Sequence, residues 1–347
     1  MNSFLINNVE VNTLLLSIQY MRALAALMVL IVHTFGWFGA QGVDIFFVIS
    51  GYIMMYIMYE SHRGALEFFL ARFFRVAPIY YIVTAVALFI GNSNEPTTEH
   101  IIHSLLFLKL KWSSPVLSIG WTLEYEFVFY ALCAFSLVFA VSKKTRVFIL
   151  IFSLILLSII LDAVLFPEKA YGHFLEFIFG IFAYFLTERL KGMVTSRIHL
   201  SYLVLISTMS LVALFVVQEY VYVDGKLPFR FVGYGFLAFI FFCSFLLLEN
   251  ILPKIKFLLL LGNSSYALYI THTTTLFAYY NISGLSRYHS YVSDSVSVVL
   301  VIAVGILTHL YIEKPIAKRL SAGVTARRIL SSYIMTSMPK KWLQLTR

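Results

Sequence analysis

The chain has 347 residues and a formal net charge of +9, and 60% of its residues are hydrophobic while only 12% are charged. Soluble globular proteins contain about 25% charged residues, so this composition excludes an ordinary soluble protein and indicates an integral membrane protein. No polar stretch is long enough to form a separate soluble domain. The positive charge indicates membrane topology rather than nucleic-acid binding, because basic loops collect on the cytoplasmic side of membrane proteins.

Ten apolar runs have about the length needed to cross a hydrocarbon core roughly 30 Å thick. We expect an all-α fold, a polytopic transmembrane helical bundle of about ten helices. The predicted transmembrane domain covers residues 1–315, followed by a basic cytoplasmic tail over 316–347, and the short run 101–108 is predicted to lie along the surface. The ten predicted helices cover residues 14–37, 42–60, 77–92, 118–141, 147–166, 171–187, 200–219, 228–249, 257–280 and 292–313.

The basic residues predict the orientation of these helices. With both the N- and C-termini in the cytoplasm, 19 of the 26 Lys and Arg residues fall on the inner side and six in the outer loops, while Arg22 lies within the first helix. This bias follows the positive-inside rule. Cytoplasmic N- and C-termini are therefore predicted.

Two ionisable residues interrupt the first helix. Arg22 and His33 are about 16 Å apart along a helix axis and project from nearly the same face, given 3.6 residues per turn. Such groups are costly in hydrocarbon unless they face the bundle interior, water or a partner. A histidine exchanges protons near neutral pH, and an arginine binds phosphate or carboxylate. The alternative is that Arg22 snorkels to the membrane surface and His33 contacts interfacial water.

Acidic residues near the outer side are candidates to work with His33. Asp44 begins the second helix, where it either interacts with the helix dipole or acts as an acid beside His33. Glu124 and Glu126 point about 200° apart on a helix, so only one of them can face the bundle interior. Glu126 lies at a depth compatible with His33 and could orient an imidazole or accept a proton. An unpaired buried carboxylate is costly, which favours function or pairing.

Two arginines precede Pro78 near the inner end of the third helix. Arg72 and Arg75 stand at positions i and i+3, where they can share one helical face. Positive-inside anchoring explains a single cytoplasmic arginine. Two arginines close to the polar residues of the bundle interior can also bind a phosphorylated cofactor through charge-assisted hydrogen bonds.

Further polar residues lie in the sixth and ninth predicted helices. His272 is a second imidazole at a depth in the membrane that would suit work with His33. It is either catalytic or a core histidine whose hydrogen bonds are satisfied by a neighbouring Tyr or Ser. His173 and Glu176, near the outer end of the sixth helix, could add hydrogen bonds to a substrate. Cys133 and Cys243 lie in apolar runs and are interpreted as small core residues, and the sequence has no metal-ligand pattern.

Six segments, in this order, resemble acyltransferase family 3, a family of integral-membrane acyltransferases. The resemblance is nearest to the branch that acts on bacterial surface and exported polysaccharides, including exopolysaccharide-production acyltransferases. The most specific features are the R-x10-H spacing of Arg22 and His33 and the R-x-x-R pair, Arg72 and Arg75. The segments are SIQYMRALAALMVLIVH, GVDIFFVISGYIMMY, ARFFRVAPIYY, GWTLEYEFVFY, LGNSSYALYITH and YIEKPIAKRL.

The resemblance implies transfer of an acyl group, usually acetyl from acetyl-CoA, to a sugar hydroxyl. It implies acyl-CoA as donor substrate with no permanently bound cofactor or metal, and a lipid-linked sugar or polysaccharide as acceptor. It also implies a multi-pass protein of a bacterial inner membrane that contacts lipid and no nucleic acid. The resulting site predictions are His33, Glu126 and, less favoured, Asp44 as catalytic residues; Arg22, Arg72 and Arg75 as donor-binding residues; and Trp121, which begins the W-[ST]-L-x-x-E pattern, with His272, His173 and Glu176 as substrate-binding residues.

Two other functions use the same residues differently. A transporter or flippase of a glycan precursor would move its substrate without consuming acyl-CoA. A non-catalytic scaffold of a polysaccharide-synthesis complex would tolerate substitution of Arg22, His33 and Glu126, which fits poorly with three ionisable groups inside a membrane.

Overall fold

The part of the chain described by the computed structural model consists of twelve α-helices and no strands, which confirms the all-α prediction. The described residues are 15–60, 64–92, 96–107, 114–140, 142–160, 172–194, 196–224, 230–285 and 290–320, so most of the predicted tail lies outside them. The helices are α1 (Leu16–Phe35), α2 (Gly42–Glu60), α3 (Ala65–Phe89), α4 (Thr98–Leu106), α5 (Trp121–Phe139), α6 (Lys143–Ser158), α7 (His173–Leu190), α8 (Arg197–Asp224), α9 (Phe236–Leu246), α10 (Lys256–Asn263), α11 (Ser265–Ser283) and α12 (Tyr291–Thr308).

Each predicted apolar run overlaps one of these helices, and the ninth is divided at Ser264 into α10 and α11. The run 101–108 overlaps the short helix α4, which ends at Leu106, and its position along the membrane surface stays a prediction. Two five-residue π-helical segments, Phe231–Gly235 and His309–Glu313, precede α9 and follow α12. Six described segments are long and apolar enough to cross a membrane: Leu16–Phe35, Gly42–Tyr59, Ala65–Phe89, Ser118–Phe139, Arg197–Val217 and Tyr291–Leu320.

These segments indicate a multi-pass membrane protein. The number of ten crossings and the cytoplasmic position of both termini stay predictions. Cys133 and Cys243 are both buried and free, in agreement with their interpretation as core residues.

The third helix begins earlier than predicted. The expected helix 77–92 is replaced by α3, which starts at Ala65 and continues through Pro78. A proline removes one backbone hydrogen bond, and neighbouring helices can compensate for this loss in a membrane protein. Close to the proline, the Tyr266 hydroxyl on α11 donates to the carbonyl of Val76 at 2.7 Å, which ties α11 to this stretch of α3. The charged residues before Pro78 therefore lie inside a helix.

Helices α2 and α7 cross with their backbones in contact at two glycines. A Cβ atom added to Gly51 would lie 2.2 Å from the carbonyl oxygen of Phe177, and one added to Gly180 would lie 2.2 Å from that of Val48. Small residues allow this kind of close backbone approach, which is typical of helix packing in membranes. Glycine at these two positions sets the distance between α2 and α7.

Helix α1 is held at its N-terminal end by the segment that precedes α10. The Glu249 carboxylate accepts hydrogen bonds from the backbone N–H groups of Leu16 and Ser17, both at 2.8 Å. The Tyr20 hydroxyl donates to the carbonyl of Pro253 at 2.5 Å. A carboxylate at a helix N-terminus satisfies free N–H groups and interacts favourably with the helix dipole. These contacts fix the depth of α1.

We expect Gly51→Ala and Gly180→Ala each to lower the free energy of unfolding by about 1–3 kcal/mol, because the new methyl group overlaps backbone atoms that cannot rotate away. Thermal unfolding of the detergent-solubilised protein measures this loss. Gly192→Ala is the matched control, since no heavy atom lies within 4 Å of its added Cβ. Equal stability of all three variants would contradict the close crossing.

Candidate active site

A chamber of about 100 Å³ lies at the centre of the bundle, between α1, α2, α3, α5 and α11. Three of the predicted site residues, Arg22, Arg75 and Glu126, contribute to its wall, although they come from three different helices. We refer to this cavity as the central chamber. Its polar lining residues are Arg22, Ser50, Arg75, Thr122, Glu126, Tyr130, Ser265, Tyr266 and Tyr269.

The charges of the central chamber are two guanidinium groups and one carboxylate. Arg22 is 8% exposed, and it interacts electrostatically with Arg75 and Glu126. Glu126 accepts hydrogen bonds from the Ser50 hydroxyl, at 3.1 Å, and from the Tyr130 hydroxyl. Of the two glutamates, Glu126 lines the central chamber. Glu124 is also buried, 2.7 Å from His103, so both carboxylates lie inside the protein and only their surroundings differ. The proposed role of Glu126 in orienting His33 stays a prediction.

The second arginine of the R-x-x-R pair lies beside the chamber. Arg72 is buried on α3, where it interacts electrostatically with Tyr130. Both arginines thus lie in the interior of the bundle. Their donor-binding role is untested, but membrane-surface anchoring does not explain a buried Arg72.

His33 and His272 form a pair of contacting imidazole rings. Their ring centroids are 4.8 Å apart in an edge-to-face arrangement. Nδ1 of His33 lies 2.8 Å from the carbonyl oxygen of Val29, and Nδ1 of His272 lies 2.5 Å from that of Tyr269. A carbonyl oxygen only accepts hydrogen bonds, so Nδ1 carries the proton in both rings and Nε2 holds the basic lone pair of each neutral imidazole.

Tyr269 connects this histidine pair to the central chamber. Its side chain lines the chamber, and its ring centroid lies 5.7 Å from that of His272. Its hydroxyl is 2.9 Å from the Thr122 hydroxyl on α5, which fixes its orientation. The chamber, Tyr269, His272 and His33 therefore form one continuous series of contacts.

Asp44 belongs to a separate buried cluster with His173 and Glu176, which we call the Asp44 cluster. One ligand-type atom from each residue lies within 4.8 Å of the others. Nδ1 of His173 is 3.3 Å from Oε1 of Glu176. Arg230 donates from Nε to Oδ1 of Asp44, at 3.0 Å, and from Nη2 to Oδ2, at 2.6 Å. This bidentate ion pair favours a structural role for Asp44 over the predicted catalytic one.

The spacing of the Asp44 cluster would also suit a metal ion, which the sequence pattern did not indicate. The guanidinium of Arg230 already places a positive charge against Asp44, so we assign no metal here. Trp121 lies next to the same cluster, because its ring centroid is 5.1 Å from that of His173. The substrate-binding roles of Trp121, His173 and Glu176 stay predictions.

Several partners of the site residues were not expected from the sequence. Arg230 lies inside the predicted run 228–249, and an arginine inside an apolar helix indicates a buried acidic partner. Tyr130 follows Glu126 by four residues, the spacing of neighbours on one helical face. His103 on α4, 2.7 Å from Glu124, gave no comparable signal.

Comparison with known proteins shows the family of the chain. Residues 15–312 match the sequence model of the Acyl_transf_3 family, which is described as an acyltransferase domain. The chain belongs to this family. The Acyl_transf_3 match begins just before α1 and ends within the π-helical segment after α12, so it includes the central chamber and the histidine pair. It confirms the resemblance to acyltransferase family 3.

One curated relative is the exopolysaccharide production protein ExoZ of Rhizobium meliloti (strain 1021). It is 39% identical to this chain over an alignment of 109 residues, and the match covers 28% of this chain and 34% of ExoZ. The chain thus spans about a third of the length of that relative. No solved structure matches the chain.

We expect Arg230→Met to lower the free energy of unfolding by about 3–5 kcal/mol, because it leaves the buried Asp44 carboxylate without its cation. The double variant Asp44→Leu, Arg230→Met should lose less than the sum of the two single variants, a coupling that a double-mutant cycle measures by thermal unfolding. Glu188→Gln, which removes the exposed pair with Lys191, should change stability by less than about 1 kcal/mol. Additive effects of the two buried substitutions would contradict the ion pair.

Proposed function

We propose that this protein transfers an acyl group, most simply acetyl, from acyl-CoA to a sugar hydroxyl of an exported polysaccharide or of its lipid-linked precursor. Membership of an acyltransferase family and similarity to a protein named for exopolysaccharide production support this function. The observation that carries it is the continuous series from the chamber arginines through Tyr269 to the histidine pair. This series supports the proposal because the arginines are suited to an anionic donor and the histidines are suited to act as a base on a hydroxyl.

The donor end of the reaction would lie in the central chamber. Coenzyme A carries several phosphate charges, and arginine binds phosphate through strong charge-assisted hydrogen bonds. Arg22 and Arg75 supply positive charge in the chamber, with Arg72 beside them. Pockets for whole drug-sized ligands measure about 300–1,000 Å³, so a chamber of about 100 Å³ would hold only part of the donor. Phosphate groups of the donor would lie at the arginines, the adenosine would remain outside the chamber, and the acyl-pantetheine arm would extend towards the histidine pair.

The chemical step would use Nε2 of His33. As a general base, Nε2 takes the proton of the sugar hydroxyl while the oxygen attacks the thioester carbonyl carbon. The new C–O bond forms, the C–S bond breaks, and the proton passes to the sulfur of the leaving coenzyme A. Alternatively, Nε2 attacks the thioester first and carries the acyl group to the sugar. Both routes begin from the neutral ring whose Nδ1 faces the carbonyl of Val29.

Labelled acetyl-CoA incubated with membranes that contain the protein and a glycan or lipid-linked sugar tests this function. We expect label on the acceptor with the wild type, and a loss of at least about 10²-fold in kcat with His33→Ala, since general acid–base catalysis contributes 10²–10⁴-fold. His199→Ala, which removes an exposed histidine on α8, is the control and should retain the wild-type rate.

If acyl transfer persists in the His33→Ala variant, the protein is still an acyltransferase and the chemical step is reassigned to His272 or Glu126. The variants His272→Ala and Glu126→Gln then distinguish these two residues. Absence of transfer from several acyl-CoA donors to several acceptors would contradict the function and favour a transporter.

We expect Arg75→Met to raise the KM for acyl-CoA by about 10- to 100-fold, because a hydrogen bond to a charged group contributes about 1.5–3 kcal/mol. The KM for the acceptor should stay unchanged in the same steady-state assay. Arg189→Met, at an exposed position near the end of α7, is the matched control. A donor KM equal to that of the wild type would exclude Arg75 from donor binding.

A further inference from the structure

The π-helical segment that follows α12 belongs to the sequence segment YIEKPIAKRL, which no step of the proposed function uses. It covers His309–Glu313, and the backbone N–H of Lys314 donates to the carbonyl of His309, five residues earlier. Pro315 follows directly and lacks the N–H that an α-helical turn would use. Single π-helical turns within α-helical stretches occur frequently at functional sites. Glu313, the last residue of this wide turn, is therefore a candidate for a functional role.

Helix α12 runs antiparallel to α11 and brings the π-helical segment to the start of α11. Near the beginning of α12, the Ser293 hydroxyl lies 3.1 Å from the hydroxyl of Tyr279, close to the end of α11. Further along α12, a Cβ atom added to Gly305 would lie 2.8 Å from the Cα atom of Leu268, near the start of α11. The residues after Gly305 therefore approach the first turn of α11, where Tyr266 lies.

Glu313 interacts with two residues of the central chamber, although it is not itself among the lining residues. Its carboxylate interacts electrostatically with Arg22 and with Tyr266, and both of these side chains line the chamber. Of the acidic residues that attract Arg22, Glu313 has a larger effect than Glu126. Among the described residues, the principal counter-charge of Arg22 thus lies behind the wall of the chamber.

The carboxylate of Glu313 has a second partner one helical turn away. Nδ1 of His309 lies 2.7 Å from Oε2 of Glu313, and the two side chains are 16% and 12% exposed. A carboxylate ion only accepts hydrogen bonds, so the imidazole donates through Nδ1. The attraction of Arg22 can therefore weaken without leaving the half-buried carboxylate unpaired, a condition that would be costly.

The charges around Arg22 balance before a donor binds. Arg22 and Arg75 carry two positive charges, and Glu313 and Glu126 carry two negative charges. A phosphate group bound at the arginines adds further negative charge, and like charges repel each other more strongly in the interior of a protein than in water. The carboxylate of Glu313 therefore opposes the binding of phosphate at Arg22.

We propose that Glu313 is the counter-charge of Arg22 in the donor-free protein, where it competes with the phosphate groups of the donor. This inference rests on the proposed acyl transfer and adds a residue that acts on the donor through Arg22. When the donor binds, its phosphate becomes the main counter-charge of Arg22, while Glu313 keeps its hydrogen bond to His309. The same competition weakens the binding of the CoA product, which must leave before the next donor binds.

The first test measures the binding of coenzyme A to the detergent-solubilised protein by isothermal titration calorimetry. We expect Glu313→Gln to lower the Kd about tenfold, because it removes a negative charge that competes for Arg22. Glu188→Gln is the matched control, since it removes the same charge from an exposed pair with Lys191. It should leave the Kd within about twofold of the wild type. An unchanged or higher Kd in Glu313→Gln would overturn the proposal.

A second variant separates this competition from a purely structural role of the hydrogen bond. His309→Ala removes the hydrogen-bond donor and leaves Arg22 as the main group that attracts the carboxylate of Glu313. We therefore expect the Kd for coenzyme A to rise about threefold or more. Glu313→Gln and His309→Ala thus alter one hydrogen bond with opposite effects on the Kd. Changes in the same direction would assign the bond to the stability of the site and overturn the proposal.

The third test compares acetyl-CoA with S-acetylpantetheine, a donor without phosphate, in the acyl-transfer assay. Glu313→Gln should lower the KM for acetyl-CoA about tenfold and leave the KM for S-acetylpantetheine within about twofold, because the competition concerns phosphate charge. Equal changes in both KM values would overturn the proposal.

The binding experiment also separates this proposal from the proposed function. If the variants change the Kd for coenzyme A as expected but the wild type transfers no acyl group, the proposed function fails and the role of Glu313 stands. If acyl transfer occurs while Glu313→Gln leaves the Kd unchanged, the role of Glu313 fails and the function stands. Absence of coenzyme A binding to the wild type would overturn both.

Discussion

The close crossing of α2 and α7 at Gly51 and Gly180 sets the register on which the polar interior depends. Asp44 precedes Gly51 by seven residues, and His173 precedes Gly180 by the same number, so two parallel helices in backbone contact bring these side chains to one level. A larger residue at either glycine would separate the helices and leave ionisable groups in an apolar medium, where they are costly. Backbone contact between two apolar helices thus makes a buried cluster of charges possible.

Partners from other helices stabilise most of the buried ionisable groups described above. Arg230 pairs with Asp44, and His103 on α4 pairs with Glu124. The central chamber differs, since its lining carries two guanidinium groups, Arg22 and Arg75, and one carboxylate, Glu126. Arg22 also interacts with Glu313, which is not among the lining residues. This arrangement distinguishes a binding site from a structural ion pair, because positive charge faces a space that a ligand can enter.

Composition and apolar run length predicted the helical bundle. Ionisable residues inside those runs indicated Arg22 and Glu126 of the central chamber and, separately, His33 and His272, while Arg75 was indicated by its spacing from Arg72 just before the third run. The start of α3 was missed because Glu67, Arg72 and Arg75 interrupt its apolar pattern, although the helix buries Arg72. Contacts within one helix, such as that between Glu126 and Tyr130, are readable from spacing. The Asp44–Arg230 contact joins residues 186 positions apart, and helix packing, which no local pattern specifies, determines it.

The edge-to-face contact of His33 and His272 limits how many protons this part of the molecule can hold. With each Nδ1–H directed at a carbonyl, the two Nε2 atoms are the remaining positions for protons, and two imidazolium ions with ring centroids 4.8 Å apart would repel each other. Simultaneous protonation of both rings is therefore disfavoured at this separation. If the pair serves as the base of the proposed acyl transfer, a proton that it accepts must leave before the next cycle, which would tie the departure of the leaving group to the return of the neutral ring.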